Sequence, residues 1–401
     1  MVSTAMTRLV VARDGEECVL GRPDLGIYVA VPEPGAVLVE TLQAGGTLAE
    51  ATAAASRAAG AEVDGQDFLE GLAAAGLLDA AAEPAAGSGP AGRRIRWIEG
   101  VSPRTARRLF GRTAWTVYSL AAIFAAGVLV LRPDLRPSFE HSWWLPDPVL
   151  SVLVVMLVWI PLAAVHEAWH WLAGRAIGVP AVFRVSYRGA FLVFETDLTQ
   201  IATIPRRRRY SPFLAGMAVD SVWLALALGL RLANREAVLA LPGALDRLLA
   251  ALVLALVFGI VWQFAAVFLR SDMYAVLANA LRCNDLYRAT WLTTKDRLWR
   301  LTEAEAGELG AIGDHDRRVA RWFGVVYPAG MIVVGWTVLA WGVPFSISML
   351  LWVQGNLGSL EPTSAAFWES IAVVLVVVGQ VVAPPLLALR ERRLRGTRGL
   401  R

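Results

Sequence analysis

Long apolar stretches alternate with short arginine-rich segments over the last three quarters of the chain. Six of these stretches are long enough to cross a bilayer about 30 Å thick as helices, which takes about 20 residues. They lie at approximately 112–131, 148–174, 210–231, 248–270 (with 281 as an alternative end), 322–343 and 366–388. Several tryptophans stand near their ends, where interfacial aromatic residues are common. The pattern predicts a mainly α-helical protein, a polytopic membrane helix bundle of about six spans.

The first part of the chain has a different pattern. "LVVARDGEECVL" contains two β-prone runs around Asp14-Gly15, typical of a hairpin, and "GIYVAVP" is a third candidate strand. Three short helical segments follow. The second begins at Thr47 and has Glu50 three residues later, which is a capping box. We therefore expect a small winged-helix-like α+β domain over residues 1–79.

The boundary of the membrane domain is visible in the composition. "AAAEPAAGSGPAG" at residues 80–92 is typical of a flexible linker, and arginines are frequent from there to residue 112. We assign residues 80–110 to a linker and basic juxtamembrane segment, and residues 111–401 to the membrane domain.

"VFRVSYRGAFLVFETD", between the second and third spans, alternates in part and is rich in Val, Phe and Tyr. It predicts a short strand-rich insertion with a turn near Arg188-Gly189. The edge of such a strand pair could bind an extended peptide. A hairpin that only packs on the helices is the alternative.

Composition and charge support a membrane location. Of 401 residues, 56% are hydrophobic and 18% are charged. Arginine clusters precede the first span, occupy the second-to-third and fourth-to-fifth connections, and end the chain, whereas residues 344–365 contain no Lys or Arg. The positive-inside rule then gives a multi-pass membrane protein with both termini in the cytoplasm. This regular alternation with the spans argues against a nucleic acid partner. Lys295 is the only lysine and alanine is abundant, which suggests a GC-rich bacterial genome and hence a bacterial cell membrane. Cys18 and Cys283 are far apart and are expected to be unpaired thiols.

One apolar stretch contains an unusual polar group, "PLAAVHEAWHWL" at residues 161–172. Residues i and i+4 share one face of a helix, so His166 and His170 can present two imidazoles to one metal ion. Glu167 lies about 100° round the helix, where it could take a proton from a water molecule at that ion. Two core histidines satisfied by neighbouring helices are the alternative, but ionisable groups within a span are usually functional.

A catalytic zinc usually has three protein ligands, so the histidine pair needs a partner. His141 is expected on the outer side and His315 in a charged cytosolic loop. Asp220 and Asp272 are carboxylates within spans. Their positions relative to the arginine clusters are compatible with the depth of the histidines, so the residues alone leave this choice open.

These features together resemble the site-2 protease family of intramembrane zinc metalloproteases. The resemblance covers about residues 111–285 and lies in "HEAWH", the strand-rich segment after it, "AGMAVD" and "SDMY". It implies that His166, His170 and Asp272 bind Zn²⁺ and that Glu167 is the catalytic base.

The same resemblance assigns Gly216 and Asp220 to a helix-packing motif. Met273 departs from the family, in which glycine usually follows the ligating aspartate. This departure makes Asp272 the least firmly assigned of the three ligands, with Asp220 as the alternative.

The N-terminal region is similar to the PqqD-like recognition elements of ribosomal peptide pathways. The similarity lies in "LGRPDLGIYVAVPEPGAVLVETLQAGGTLAEA" and "DFLEGLAAAGLL". It implies that residues 1–79 bind the leader of a precursor peptide, often by strand addition. A winged-helix-like module with a regulatory or purely structural role is the alternative.

From these resemblances we expect a zinc metalloendopeptidase that removes the leader of a small precursor peptide, and daptide-type pathways are one candidate. The expected partners are the precursor peptide and the lipid bilayer, with a peptide exporter or modifying enzymes as further candidates. Two alternatives stay open: a signalling protease that cleaves a membrane-anchored regulator, and a non-proteolytic peptide sensor or export partner. The presence of Glu167 favours catalysis over a non-proteolytic role. The sequence shows no PDZ-sized insertion, which argues against the signalling role.

Overall fold

The computed structural model describes residues 6–14, 17–23, 25, 27–78, 101–179, 182–188, 191–197, 199–358, 361–375 and 378. Within them the protein is mainly helical, with a small three-stranded antiparallel sheet near the N-terminus and a two-stranded sheet between two long helices.

The N-terminal unit is an antiparallel sheet followed by three helices. Its strands are β1 (Val10–Asp14), β2 (Glu17–Arg22) and β3 (Ile27–Pro32), and its helices are α1 (Glu33–Gln43), α2 (Leu48–Ala59) and α3 (Gly65–Ala74). The predicted hairpin is confirmed, because Asp14 pairs with Glu17 across β1 and β2. Residues 15 and 16 of its turn lie outside the described residues.

The N-terminal core forms between the sheet and these helices. Its buried residues are Met6, Leu9, Cys18, Leu20, Val31, Ala36, Val39, Leu72 and Leu77. The capping box at the start of α2 is confirmed: the Glu50 amide donates to Oγ1 of Thr47 (3.3 Å), and the Thr47 amide donates to the Glu50 carboxylate (2.7 Å).

Five helices in the described part of the chain are long and apolar enough to cross a membrane. The first of them runs from α4 (Pro103–Leu109) through α5 (Arg112–Leu131). The next three are α6 (Pro148–Ile177), α7 (Arg206–Arg235) and α8 (Gly243–Ala265). α7 is the central helix of the five. In its most apolar 18-residue stretch 44% is buried inside the protein, whereas the corresponding share in the other four helices is 6–22%. The outward faces of the other helices expose large apolar side chains, such as Leu131 and Leu157, as expected for surfaces that meet lipid.

The fourth span is shorter than one reading of the sequence allows. α8 ends at Ala265, and α9 (Asp272–Ala280) begins after a break, followed by the helices α10 (Leu286–Leu298) and α11 (Glu303–Ala311). The strand pair predicted between the second and third spans is confirmed as β4 (Val182–Arg188) and β5 (Phe191–Asp197). Residues 189 and 190 of its turn lie outside the described residues.

The fifth span departs from expectation. α12 (Asp314–Thr337), a π-helical segment (Val338–Gly342) and α13 (Val343–Gly358) form one helix of 45 residues, about 65 Å long at 1.5 Å per residue. The prediction of a loop over 344–365 is therefore wrong as far as Gly358. The lack of Lys and Arg carries no information on whether a segment is a loop. Pro344 lies inside the long helix, just after the π-helical segment, and helix irregularities of this kind are common next to proline.

The part of this long helix around Trp341 and Phe345 packs on the connection between α5 and α6. The ring of Phe345 stacks on Trp143 with centroids 4.9 Å apart, and Trp341 meets Phe139 edge to face at 6.0 Å. Of the sixth predicted span, 366–388, the described part is α14 (Ala365–Leu375), which is apolar and helical. The kink expected at Pro384 and Pro385 lies outside the described residues.

Candidate metal centre

Two imidazoles meet on one face of α6. His166 and His170 are four residues apart in a continuous helix, so successive turns present both side chains in the same direction. Their Nε2 atoms are 3.2 Å apart. His170 is buried, with 4% of its surface exposed. The helix therefore brings together the two nitrogen atoms that a metal ion would need.

Asp272 brings a carboxylate to the same point. It is the first residue of α9, and its Oδ2 lies 3.1 Å from Nε2 of His166 and 3.2 Å from Nε2 of His170. The three atoms thus form a nearly equilateral triangle. Tetrahedral zinc with nitrogen and oxygen ligands at about 2.0–2.2 Å requires ligand atoms about 3.3 Å apart. The residues present fit such an ion.

The other nitrogen of each imidazole is already engaged by α7. Nδ1 of His166 donates to Oδ2 of Asp220 (2.7 Å), and Nδ1 of His170 donates to the main-chain carbonyl of Pro212 (2.6 Å). Neither an ionised carboxylate nor a carbonyl can donate in return. Each neutral imidazole therefore has its proton on Nδ1 and a lone pair at Nε2. Two lone pairs and a carboxylate oxygen converge, an arrangement that a cation stabilises.

Gln263 on α8 holds Asp272 in place. Its side-chain amide donates to Oδ2 of Asp272 (3.1 Å), and its side-chain oxygen accepts from the main-chain N–H of Asp272 (3.0 Å). The hydroxyl of Ser271 donates to the main-chain carbonyl of Gln263 (2.7 Å). These contacts join the end of α8 to the start of α9 across the break, and they orient the carboxylate toward the histidines.

Gly216 leaves room beside the ligand atoms. It lies on α7 four residues before Asp220, and a Cβ at this position would overlap the Nε2 atoms of both His166 and His170. One face of α7 therefore does two things: it accepts the Nδ1 protons and leaves space next to Nε2.

Glu167 lies close to the same atoms. One of its carboxylate oxygens and one ring nitrogen from each of His166 and His170 are all within 4.8 Å of one another. On β5, Oγ1 of Thr196 donates to the main-chain carbonyl of Glu167 (2.8 Å), which ties the two-stranded sheet to this turn of α6. A carboxylate at that distance can accept a proton from a water molecule at the ligand atoms.

A cavity of about 170 Å³ opens beside the site. It is lined by Glu167, His170, Thr196, Phe213, Arg270, Ser271, Asp272, Tyr274 and Ala275. It therefore connects the candidate base and two candidate ligands with aromatic and cationic side chains that could contact a substrate.

The structure brings all four residues of the expected site together, and it separates the two candidate aspartates. Asp272 faces both Nε2 atoms, whereas Asp220 contacts the opposite nitrogen of His166. Asp220 is thus a hydrogen-bond partner of a candidate ligand and has more than the packing role that the resemblance implied. Met273 lies in the first turn of α9, an ordinary helical position. A residue with a side chain fits this helical conformation, so position 273 does not require glycine.

Gln263 and the carbonyl of Pro212 were missed by the sequence analysis. Gln263 has a signal, because it is a lone amide in the apolar run "VLALVFGIVWQFAAV". Polar groups in a span usually have a partner there. The Pro212 carbonyl has no signal in the sequence, since every residue has such a group.

The remaining histidines lie elsewhere. Nδ1 of His141 accepts a hydrogen bond from the main-chain N–H of Ser138 (3.0 Å) in the connection between α5 and α6. His315 forms a second group of possible ligand atoms with Cys283 and Asp316, again within 4.8 Å of one another. In that group His315 and Asp316 lie in the first turn of α12, and Cys283 lies between α9 and α10.

Comparison of the chain with protein-family models, with curated proteins and with solved structures found no match.

Proposed function

We propose that this protein is an intramembrane zinc metalloprotease of the site-2 protease type. The observation that carries the proposal is the convergence of Nε2 of His166, Nε2 of His170 and Oδ2 of Asp272, at 3.1–3.2 Å from one another, beside Glu167. Three protein ligands with a neighbouring carboxylate are the usual composition of a hydrolytic zinc site.

The reaction is hydrolysis of a peptide bond. A zinc ion, when bound, supplies a Lewis acid that polarises the scissile carbonyl and makes water easier to deprotonate. Glu167 accepts a proton from the attacking water as the new C–O bond forms. It then delivers that proton to the amine nitrogen as the C–N bond breaks. Asp220, Pro212 and Gln263 keep the histidines and Asp272 in position throughout.

The substrate in this proposal is a small precursor peptide that loses its leader during maturation. The N-terminal unit is the winged-helix-like, PqqD-like element that recognises the leader. The two-stranded sheet beside Glu167 offers an edge for an extended chain. An unwound substrate is required, because the main-chain groups of a helix in lipid are otherwise hydrogen-bonded internally.

The membrane arrangement in this proposal has six spans with both termini in the cytoplasm of a bacterial cell. Its support is the arginine distribution together with the five long apolar helices. The C-terminal half of α6, which carries the histidines, and the N-terminal half of α7, which carries Asp220, then lie toward the cytosol, within reach of a cytosolic precursor.

The test combines zinc content with cleavage of a peptide library prepared by digestion of a cell lysate. Wild-type protein purified in detergent should hold zinc and cleave a subset of peptides. Glu167→Gln should keep zinc and lose cleavage, since the base alone is removed. His166→Ala with His170→Ala should lose both.

A matched control accounts for metal held elsewhere. Cys283→Ser removes the thiol of the second ligand group and should leave cleavage unchanged. Zinc that is retained in the double histidine variant but lost in Cys283→Ser would show that the metal sits at the wrong site for this proposal. Equal biological function of wild type and Glu167→Gln would favour the non-proteolytic sensor or export partner.

A further inference from the structure

Arg270 has an unusual backbone conformation next to the candidate ligand Asp272. Its φ is 60° and its ψ is 47°, in the left-handed region that favours glycine. A residue with a side chain is held there at a cost in free energy, and such conformations cluster at functional sites. The conformation lies in the break between α8 and α9, where the chain turns toward the metal centre.

The guanidinium of Arg270 is held by an aromatic ring. Its central carbon lies 4.2 Å from the centroid of the Tyr287 ring, a cation–π contact. Tyr287 is itself fixed, because its main-chain N–H donates to the hydroxyl of Tyr274 (2.9 Å). Stacking uses the flat face of the guanidinium and leaves its N–H groups at the edge for a planar acceptor.

No carboxylate of the described residues forms an ion pair with Arg270. Arg270 nevertheless lines the same cavity as Glu167, His170 and Asp272. Among the described lining residues it carries the only guanidinium or ammonium group. With a divalent cation at the ligand atoms, the negative charges of Glu167 and Asp272 are balanced. The charge of Arg270 then makes the cavity attractive to an anion.

The position of Arg270 in the chain limits where that anion can be on a substrate. Arg270 lies two residues before Asp272, and two Cα atoms at that separation are at most about 7 Å apart, which equals about two residues of extended chain at roughly 3.3 Å per residue. A group bound at Arg270 therefore belongs to a residue within about two positions of the bond that lies at the metal centre.

We propose that Arg270 binds a carboxylate of the substrate peptide within about two residues of the scissile bond. The carboxylate is either an Asp or Glu side chain or the C-terminal carboxylate, since both present the planar pair of oxygens that a guanidinium fork fits. This inference rests on the proposed function, because it takes the cavity as the substrate cleft.

The test measures binding without turnover. Zinc-loaded Glu167→Gln protein in phosphatidylcholine nanodiscs is titrated with fluorescent heptapeptides of Ala, Val and Leu that carry one Asp or one Asn at the central position. A second pair has no Asp and ends in a free or an amidated C-terminus. In one of these two pairs, the charged peptide should bind about tenfold or more tightly than the neutral peptide. This is the ratio expected of charge-assisted hydrogen bonds.

Variants at position 270 decide the assignment. Arg270→Gln in the same background should abolish the preference for the charged peptide, and Arg270→Glu should reverse it in favour of a Lys peptide. Arg270→Lys should retain it in weakened form, and this variant serves if Arg270→Gln loses zinc or fails to fold. A preference that survives Arg270→Gln overturns the inference, as does the absence of binding by any charged peptide at millimolar concentration.

Lipid binding and proteolysis are distinguished from carboxylate binding by two further outcomes. If Arg270→Gln alters only the affinity for vesicles with phosphatidylglycerol, Arg270 contacts lipid headgroups and the inference is wrong. Cleavage of the peptide library without any Arg270-dependent charge preference refutes this inference and leaves the protease intact. A charge preference in a protein that never cleaves refutes the protease and leaves the carboxylate site.

Discussion

His166 and Asp220 are joined by a 2.7 Å hydrogen bond from Nδ1 to Oδ2 that connects α6 to α7. The carboxylate fixes which nitrogen of the imidazole carries the proton, and it leaves the Nε2 lone pair directed at His170 and Asp272. A carboxylate on the central helix α7 thus determines the tautomer of an imidazole on the neighbouring helix α6.

Replacing Asp220 by Asn should weaken zinc binding about 10–100-fold, because the amide oxygen can still accept the hydrogen bond from His166 but no longer carries the charge that strengthens the imidazole as a ligand. Asp272→Asn should weaken it further, since one of the three ligands itself loses its negative charge. The measurement is zinc retained by each purified variant in a series of chelator concentrations. Retention by Asp272→Asn together with complete loss by Asp220→Asn would make Asp220 the third ligand.

Gly216→Ala should abolish zinc binding, because the added methyl group would overlap the Nε2 atoms of both histidines. Gly229→Ala is a matched control on the same helix, where the new Cβ would meet Phe124 at 3.7 Å, an ordinary contact. The control should keep its zinc and gain up to about 1 kcal/mol of helix stability. Zinc content and thermal unfolding in detergent are measured for both. Full occupancy in Gly216→Ala would show that the site can shift to admit a methyl group.

Gln263→Leu should reduce zinc affinity by about tenfold or more, because Asp272 loses two hydrogen bonds that orient its carboxylate. Asn234→Leu is the control: its side-chain oxygen accepts from the Leu241 N–H (3.0 Å) at the other end of α7. Both variants remove a buried or half-buried amide, at about 1–3 kcal/mol of stability. Only Gln263→Leu should change the chelator titration. Equal zinc affinity in the two variants would contradict the positioning role of Gln263.

Much of this arrangement could be predicted from the sequence. The lengths of the apolar stretches predicted the bounds of α5 to α8 to within a few residues. The spacing of the two histidines predicted that they share one face of a helix. The choice between Asp220 and Asp272 could not be made, because distance from the arginines gives depth alone. Which carboxylate meets Nε2 depends on the rotation of α7 and on the break between Ala265 and Asp272.

The helical continuation to Gly358 was missed for a related reason. Arginine counts report on which side of the membrane a segment lies, and they carry no information on its backbone hydrogen bonding. The apolar run after Pro344 is the signal that favours a helix beyond the roughly 20 residues that a span needs.

Lys295 and Glu305 join α10 to α11 outside the membrane, with Nζ 2.6 and 2.8 Å from the two carboxylate oxygens. The Lys295 side chain, aided by the Thr302 main-chain N–H, lowers the pKa of Glu305 to about 2. A lowered pKa means that the contact stabilises the fold above the ordinary pKa and is lost as pH falls toward 2. Carbon NMR titration of the Glu305 carboxyl should show this midpoint, and Lys295→Met should raise it. An unchanged midpoint in the variant would exclude Lys295 as the main cause.

A reporter fused after Arg401 and another inserted within residues 299–302 should both be active in the cytosol, because arginine-rich segments remain on that side. A third, inserted at residues 361–363 beyond α13, should report the outer side. Each reporter is a protein that fluoresces or hydrolyses its substrate on only one side of the membrane. The three positions can therefore be compared directly. An outer signal from either of the first two would contradict the orientation.

The chain between Thr196 and Thr203 has a consequence for how a substrate reaches the site. Thr196 bonds to the carbonyl of Glu167, and the 199–203 turn packs on β1 and β2, with Thr203 beside Gly21. Seven residues span at most about 25 Å. Under the proposed function, a peptide captured on the N-terminal sheet would therefore start a short distance from Glu167, at an effective concentration in the millimolar range. Even a sequence with poor intrinsic affinity for the cleft would then be processed, and selectivity would be set by capture.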